Sequence, residues 1–118
     1  MSRLLRVAAA QFAVGTDLGE NLATTCRMID AAADQGAQLV VTPEFCNHLS
    51  VYDDAEHAWQ VAIEPDGDWI AAVAEVARRR GIWVQVNATV RRVPTTDAHP
   101  RPRITNTNFI LSPDSSIV

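Results

Sequence analysis

The run of residues 39–45 constrains the fold of this chain more than any other segment. It reads Leu-Val-Val-Thr-Pro-Glu-Phe and follows a helical pattern that is closed by Gly36. A continuous apolar run in that position predicts a parallel strand buried on both faces, because half-exposed strands alternate apolar with polar residues. Pro43 ends the strand, since proline has no N–H to donate to a neighbour. The run therefore predicts an α/β fold.

Glu44 is the candidate catalytic residue because it stands at the tip of that strand. In open α/β sheets, ligands bind just beyond the carboxyl ends of the strands. We expect Glu44 to lie at the carboxyl end of a central strand, largely buried, with its carboxylate facing a cavity shared with the loop after it. Burial would make that carboxylate a stronger base. From spacing alone, a structural ion pair with an arginine across a loop remains the alternative.

Strands and helices alternate along the chain. Apolar patterns predict strands over residues 4–12, 39–45, 82–90 and from 108 onward. Residues 82–90 alternate, with the apolar residues from Ile82 to Val90 on one face and Trp83, Gln85, Asn87 and Thr89 on the other. Helical spacing predicts a helix from Asn21 to about Gln35, a short acid-started helix within residues 47–63, and a helix from Asp68 that Gly81 stops. We expect the four strands to share one sheet, with the Asn21 and Asp68 helices on a single face.

The C-terminal residues predict an incomplete domain. Three prolines around residues 94–102 indicate a solvated loop, and residues 109–118 indicate a strand, a turn and the start of a returning strand. A natural domain seldom ends two residues into the second arm of a hairpin. We therefore interpret residues 1–118 as the N-terminal part of one domain, cut short by an artificial or truncated C-terminus.

Composition limits the partners and the compartment. The hydrophobic content of 47% is that of a globular protein, and no apolar stretch approaches the roughly 20 residues that span a bilayer. The net charge of −4 argues against a nucleic-acid partner. No secretory signal is visible, and two cysteines form no disulfide framework. We predict a cytoplasmic protein without a membrane partner.

No cofactor or metal is predicted. His48 and His57, with the nearby acids Asp53, Asp54 and Glu56, match no defined set of metal ligands and favour a solvated helix start. The glycines between residues 15 and 19 lack a phosphate-loop pattern. All ten basic residues are arginines, so this chain cannot complete any chemistry that requires a lysine.

The order of the motifs resembles that of a known family. Residues 7–12 (Val-Ala-Ala-Ala-Gln-Phe), the helix opened by Asn21, the 39–45 strand, Asn106-Thr107 and residues 112–114 (Ser-Pro-Asp) together resemble the N-terminal part of the nitrilase superfamily, the carbon-nitrogen hydrolases. The resemblance implies an α-β-β-α sandwich. This chain would supply one sheet with helices on one face, and a second sheet, absent here, would meet the other face.

The resemblance also implies a catalytic Glu, Lys and Cys. Glu44 matches the Glu and would act as general base, taking a proton from a cysteine thiol that then attacks an amide or nitrile carbon. The lysine would follow soon after the hairpin, and the nucleophile lies much farther along in the family. Cys46 is a poor candidate nucleophile because nothing nearby supplies the positive environment that lowers a thiol pKa, and Cys26 is poorer still.

Two functions from different classes stay open. The first is the N-terminal fragment of a thiol hydrolase for small-molecule amides or nitriles, inactive by itself and homo-oligomeric when full length. The alternative is a non-catalytic module that associates with another chain through its open sheet edge. No substrate-binding residue is assigned, because specificity resides in loops that are mostly missing.

Overall fold

The computed structural model describes residues 3–94, 101–114 and 116–118. Within these residues, strands and helices alternate in the order β1 (Val7–Ala9), α1 (Leu18–Asp34), β2 (Leu39–Val41), α2 (Ala55–Val61), α3 (Asp68–Arg80), β3 (Trp83–Arg92) and β4 (Arg103–Leu111). The predicted mixed α/β fold is confirmed. Across the described part of the chain, no helix has both the length and the apolar character needed to cross a membrane.

The four strands form one open sheet, as predicted, in the order β1-β2-β3-β4. β1, β2 and β3 are parallel, while β4 returns antiparallel along most of β3, from Val84 paired with Leu111 to Arg92 paired with Arg103. β2 is therefore a central strand. Its carboxyl end lies between the ends of two neighbours, where parallel sheets form their ligand crevices.

One face of the sheet carries the hydrophobic core. Ile29 of α1 and Val73 of α3 join the inward residues of the strands in a single buried cluster. The strand residues of this cluster include Val40, Val84, Val86, Phe109 and Leu111. Both long helices thus pack on the same face, which confirms the predicted arrangement. We call the opposite face, which carries Val7, Val41, Trp83 and Gln85, the open face.

Local signals explain where the helices begin and end. Asp17 accepts a hydrogen bond from the Glu20 N–H at 2.8 Å and caps α1, which begins three residues before the predicted Asn21. Gly81 ends α3 in the left-handed conformation, with φ of 66°, as predicted. Asp54 caps α2, the short helix that the acidic residues indicated.

The strand boundaries differ from the predictions in several places, and β2 ends at Val41 rather than at residue 45. β1 covers only Val7–Ala9, because its partner β2 offers three residues before Pro43, and Leu4 is left 90% exposed. β4 begins at Arg103 because it pairs with β3 as far as Arg92. The returning strand amounts to one bridge between Leu111 and Ile117. Residues 95–100 of the predicted loop lie outside the described part of the chain.

Candidate active site

Glu44 lies in the turn that directly follows β2, at the carboxyl end of this central strand, as predicted. The prediction that it is largely buried is wrong, because its side chain is exposed. It stands at the rim of the open face, the face opposite the two long helices. The stronger basicity expected from burial therefore has no support in this chain.

The carboxylate of Glu44 is held by an amide rather than by a cation. Asn106 Nδ2 on β4 donates a hydrogen bond to Glu44 Oε1 at 2.7 Å. Among the described residues, no arginine forms an ion pair with Glu44, so the alternative of a structural arginine pair is not observed. A hydrogen bond to a carboxylate is stronger than one between neutral groups, so it restrains the side chain even at the surface.

Glu44 lines a groove of about 580 Å³ on the open face. The other lining residues are Val41, Thr42, Gln85, Asn87, Asn106, Asn108 and Ile110. They combine a small apolar floor with several amide groups, which is the composition expected of a site for a small polar molecule. Glu44 thus lines a groove, but none of the described residues of the loop after Glu44 lines it, so the predicted cavity shared with that loop is not observed.

The backbone of the turn is unusual at the residue after Glu44. Phe45 has φ of 59°, and it is the one non-glycine residue with positive φ in the described part of the chain. A bulky residue in this conformation is strained and persists only where the surroundings impose it. Asn87 on β3 imposes it here: its Oδ1 accepts from the Phe45 N–H at 2.7 Å, and its carbonyl accepts from the Cys46 N–H at 2.9 Å.

Neither cysteine of this chain is an activated nucleophile. Cys46 is 0% exposed, and its Sγ lies 3.0 Å from the Pro43 carbonyl oxygen. Burial raises the pKa of the Cys46 thiol, and burial together with Asp30 raises the pKa of Cys26. Both effects disfavour the thiolate, which is the reactive form. The sequence-based rejection of these two residues agrees with their surroundings.

The two histidines singled out in the sequence serve local packing. His48 is buried, stacks on Tyr52 with ring centroids 5.8 Å apart, and donates through Nδ1 to the Leu49 carbonyl at 2.6 Å. His57 Nδ1 accepts from the Asp53 N–H at 3.0 Å. In residues 3–94, 101–114 and 116–118, no group of three or more His, Cys, Asp or Glu could hold a metal ion.

Asn87 is a site residue that the sequence analysis did not single out. The alternation of β3 already placed it on the face opposite the core valines, and asparagine is depleted in strand interiors. These two facts could have marked it as functional. Asn106 entered only as part of a motif, because its contact with Glu44 joins residues 62 positions apart.

Fold and site together define a class of protein. A mixed α/β sheet that presents a carboxylate in a polar groove at the end of a central parallel strand is typical of sites that bind small molecules. The family model described as carbon-nitrogen hydrolase matches residues 6–118. The chain belongs to the carbon-nitrogen hydrolase family.

Several known proteins are similar to this chain. Hydrolase MT0498 of Mycobacterium tuberculosis (strain CDC 1551 / Oshkosh) is 37% identical over 111 residues, which cover 92% of this chain and 35% of that protein. The crystal structure of an amidase from Nesterenkonia sp. superposes with a TM-score of 0.73 and 22% identity, covering 97% of this chain and 40% of the amidase. Nit3 of Saccharomyces cerevisiae, a nitrilase-superfamily member, superposes with a TM-score of 0.72 and 22% identity, covering 97% of this chain and 42% of Nit3.

These likenesses show the nitrilase-superfamily fold, and the chain spans between about a third and two fifths of these relatives. Two further structures concern the Nesterenkonia amidase. One is a variant in complex with acrylamide, and another carries an acetamide moiety on its active-site cysteine. These ligands belong to that protein.

Proposed function

We propose that this chain is the N-terminal part of a thiol hydrolase that acts on non-peptide carbon-nitrogen bonds of small amides or nitriles. Glu44 is its general base. The observation that carries the proposal is the position of Glu44 at the carboxyl end of β2, inside a polar groove. Membership of the carbon-nitrogen hydrolase family and the acrylamide complex of the similar amidase support an amide as substrate.

In the proposed reaction, Glu44 accepts the proton of a cysteine thiol, and the thiolate forms a bond to the amide carbon. Glu44 then gives this proton to the leaving nitrogen as the carbon-nitrogen bond breaks, so that ammonia or an amine departs and a thioester remains. Water hydrolyses the thioester with Glu44 again as base, which restores the thiol. A lysine ammonium stabilises the negative oxygen that forms on the carbon.

The cysteine and the lysine of this mechanism are proposed to follow Val118 in the reading frame. Residues 1–118 contain no lysine, and both of their cysteines have raised pKa values. The members of a catalytic triad act as a unit, so one member retains almost none of the rate. We therefore propose that the 118-residue chain does not hydrolyse amides by itself. Cytoplasmic location and a homo-oligomeric full-length form remain predictions.

A second function is favoured by one observation on the open face. Val7, Val41 and Trp83 are 57%, 41% and 42% exposed there, although soluble proteins rarely leave apolar strand residues side by side in water. As the alternative function we propose a non-catalytic module that associates with another chain through its open sheet edge, where β1 carries the exposed Val7. This function requires no role for Glu44, which separates it from the first.

The experiment compares the 118-residue chain with a version extended through its natural reading frame. Ammonia release from acrylamide, other small amides and nitriles is measured for each, with and without Glu44→Gln. We expect activity in the extended form alone, reduced at least about 10²-fold by Glu44→Gln, because a general base contributes that much or more. Glu56→Gln makes the same chemical change outside the groove and should leave the activity unchanged.

Two further variants test the identity of the nucleophile. Cys46→Ser and Cys26→Ser in the extended form should keep their activity, since neither residue is the proposed nucleophile. Activity in the 118-residue chain that survives both substitutions, yet disappears with Glu44→Gln, would indicate a cysteine-free mechanism. Extended protein whose activity is indifferent to Glu44→Gln would remove Glu44 from the active site.

A further inference from the structure

A series of hydrogen bonds between side-chain amides on the open face ends at Glu44. Asn87 Nδ2 donates to Asn106 Oδ1 at 2.6 Å and to Asn108 Oδ1 at 2.9 Å. Asn106 Nδ2 in turn donates to Glu44 Oε1 at 2.7 Å. Because Asn87 of β3 is paired with Asn108 of β4, the pairing of the two strands fixes the positions of these side-chain amides.

The direction of the amide chain is set by the backbone of the turn. The Phe45 N–H can only donate, so the Asn87 side chain must present its oxygen to Phe45 and its nitrogen to Asn106. Asn106 must then present its oxygen to Asn87, which leaves its nitrogen for the carboxylate. One backbone N–H thus determines that a donor, and not an acceptor, faces Glu44.

The same contact links Glu44 to its neighbouring residue. Asn87 holds Phe45 in the left-handed conformation, and Phe45 directly follows Glu44. Asn87 therefore acts on Glu44 by two routes, through the strained turn and through Asn106. Strain of this kind is found at functional sites because it pre-organises a group that must not move.

The groups around the carboxylate are neutral. Among the described residues that line the Glu44 groove, none other than Glu44 carries a charge. A cation on Oε1 would hold the side chain equally well, but it would stabilise the ionised form and weaken the carboxylate as a base. In the described part of the chain, no donor contacts Oε2. An amide on one oxygen therefore orients the carboxylate and leaves the second oxygen available for a proton.

We infer that Asn106 and Asn87 are positioning residues for Glu44: Asn106 orients the carboxylate, and Asn87 fixes both Asn106 and the strained turn at Phe45. The inference rests on the proposed role of Glu44 as general base. Asn106 contacts Glu44 directly, and Asn87 contacts Asn106 and Phe45, so both are assigned a role that acts through Glu44. Geometry of this kind matters because a small misplacement of a catalytic group lowers the rate strongly.

The hydrogen bond is tested first, in the 118-residue chain. The side-chain amide protons of Asn106 are followed by NMR while the pH is lowered through the carboxylate range. We expect them to shift as Glu44 takes up its proton, and this shift to vanish in Glu44→Gln. The side-chain amide of Gln60, on α2 and outside the groove, is the internal reference. Amide protons of Asn106 that do not respond to Glu44 would overturn the inference.

The positioning role is tested by kinetics in the extended chain. Asn106→Asp keeps the shape and the acceptor for Asn87 but places a carboxylate against Glu44. We expect kcat to fall about 10- to 100-fold, as for other residues that orient a catalytic group, with little change in KM. In the pH profile of kcat/KM, the acidic limb should move to higher pH, since the new carboxylate opposes ionisation of Glu44.

Asn108→Asp is the matched control. Asn108 lies on the same strand and in the same groove, and its Oδ1 accepts from Gln85 and Asn87 without contacting Glu44. The same charge is thus introduced two residues away, and we expect a smaller loss and a smaller shift of the acidic limb. Thermal unfolding of both variants shows whether they remain folded.

The outcomes separate the inference from the proposed function. If Glu44→Gln abolishes activity but Asn106→Asp behaves like Asn108→Asp, the positioning role is overturned and the general base remains. If activity does not depend on Glu44 at all, the general base fails and the positioning role fails with it. A large loss for Asn106→Asp in a folded protein, partly restored by Asn106→Gln, is the result we expect.

Discussion

The two faces of the sheet differ sharply although the same strands build both. On the helix-covered face, Val40, Val84 and Val86 are 0% exposed. On the open face, the next residues along the strands, Val41 and Trp83, are about two fifths exposed. Because strand side chains alternate between faces, a shift of one residue changes a side chain from core to surface.

The two faces therefore contribute differently: one to the stability of the fold and the other to the candidate active site. The covered face is apolar and closely packed, and it supplies the burial that holds the domain together. The open face carries the amides, the strained turn and Glu44, which contribute little apolar burial. Residues on the covered face should therefore control folding, and residues on the open face should control catalysis and association.

The largest expected effect comes from a charge placed on either face of β2. In the 118-residue chain, Val40→Asp should lower the free energy of unfolding by about 3–5 kcal/mol, because it buries an unpaired charge. Val41→Asp introduces the same charge on the adjacent residue and should cost less than about 1 kcal/mol. Urea denaturation of both variants measures the difference.

Equal losses for the two variants would contradict the comparison, since they would mean that the open face is covered in solution, for example by a second copy of the chain. The extended chain provides a second test of whether the open face is covered. If a second sheet covers the open face, as the family resemblance implies, Val41→Asp should become markedly more destabilising there than in the 118-residue chain.

A smaller effect is expected from a buried amide compared with an exposed one. Asn21 is buried; its Nδ2 donates to the Asn47 and Gly15 carbonyls and its Oδ1 accepts from the Gly15 N–H, at 2.9–3.0 Å. Asn21→Ala should cost about 1–3 kcal/mol, because it removes the hydrogen bond that Asn21 donates to the carbonyl of the buried Asn47. Asn108→Ala on the open face should cost less than about 1 kcal/mol, since water replaces its partners. Chemical denaturation distinguishes the two, and equal costs would show that the open-face amides also support the fold.

The smallest expected effect concerns the ion pairs between the two long helices. Asp30 of α1 lies 3.2 Å from the guanidinium groups of both Arg79 and Arg80 of α3. Asp30→Asn should cost no more than about 1 kcal/mol, and less in 1 M salt, because the pairs are partly exposed. Glu75→Gln, which breaks a pair with Arg78 inside α3, is the control and should change stability less. A loss that does not depend on salt would indicate packing rather than charge.

Features that depend on neighbouring residues in the sequence were predicted correctly, whereas features that depend on distant residues were not. The alternation from Ile82 to Val90 predicted five buried residues on one face, and all five are at most 5% exposed. Gly81 and the acidic residues near Asp54 marked helix ends correctly, because capping depends on a few adjacent residues. The predicted length of β1 was wrong, because a strand extends only as far as its partner strand does.

The exposure of Glu44 was also not predictable from the sequence. The apolar run before it indicated a buried strand, and Val40 is indeed fully buried. Glu44 itself is exposed because burial at a strand end depends on what covers that end of the sheet. No pattern within residues 39–45 contains that information.

The sequence by itself determined the alternating elements and the position of a carboxylate after the central strand. These follow from apolar periodicity, proline and capping residues, all of which act over a few positions. Only the tertiary structure decided how that carboxylate is held. The bond from Asn106 to Glu44 and the bond from the Phe45 N–H to Asn87 join residues 62 and 42 positions apart. They form because the register between strands brings distant residues together, and register is a property of the assembled sheet.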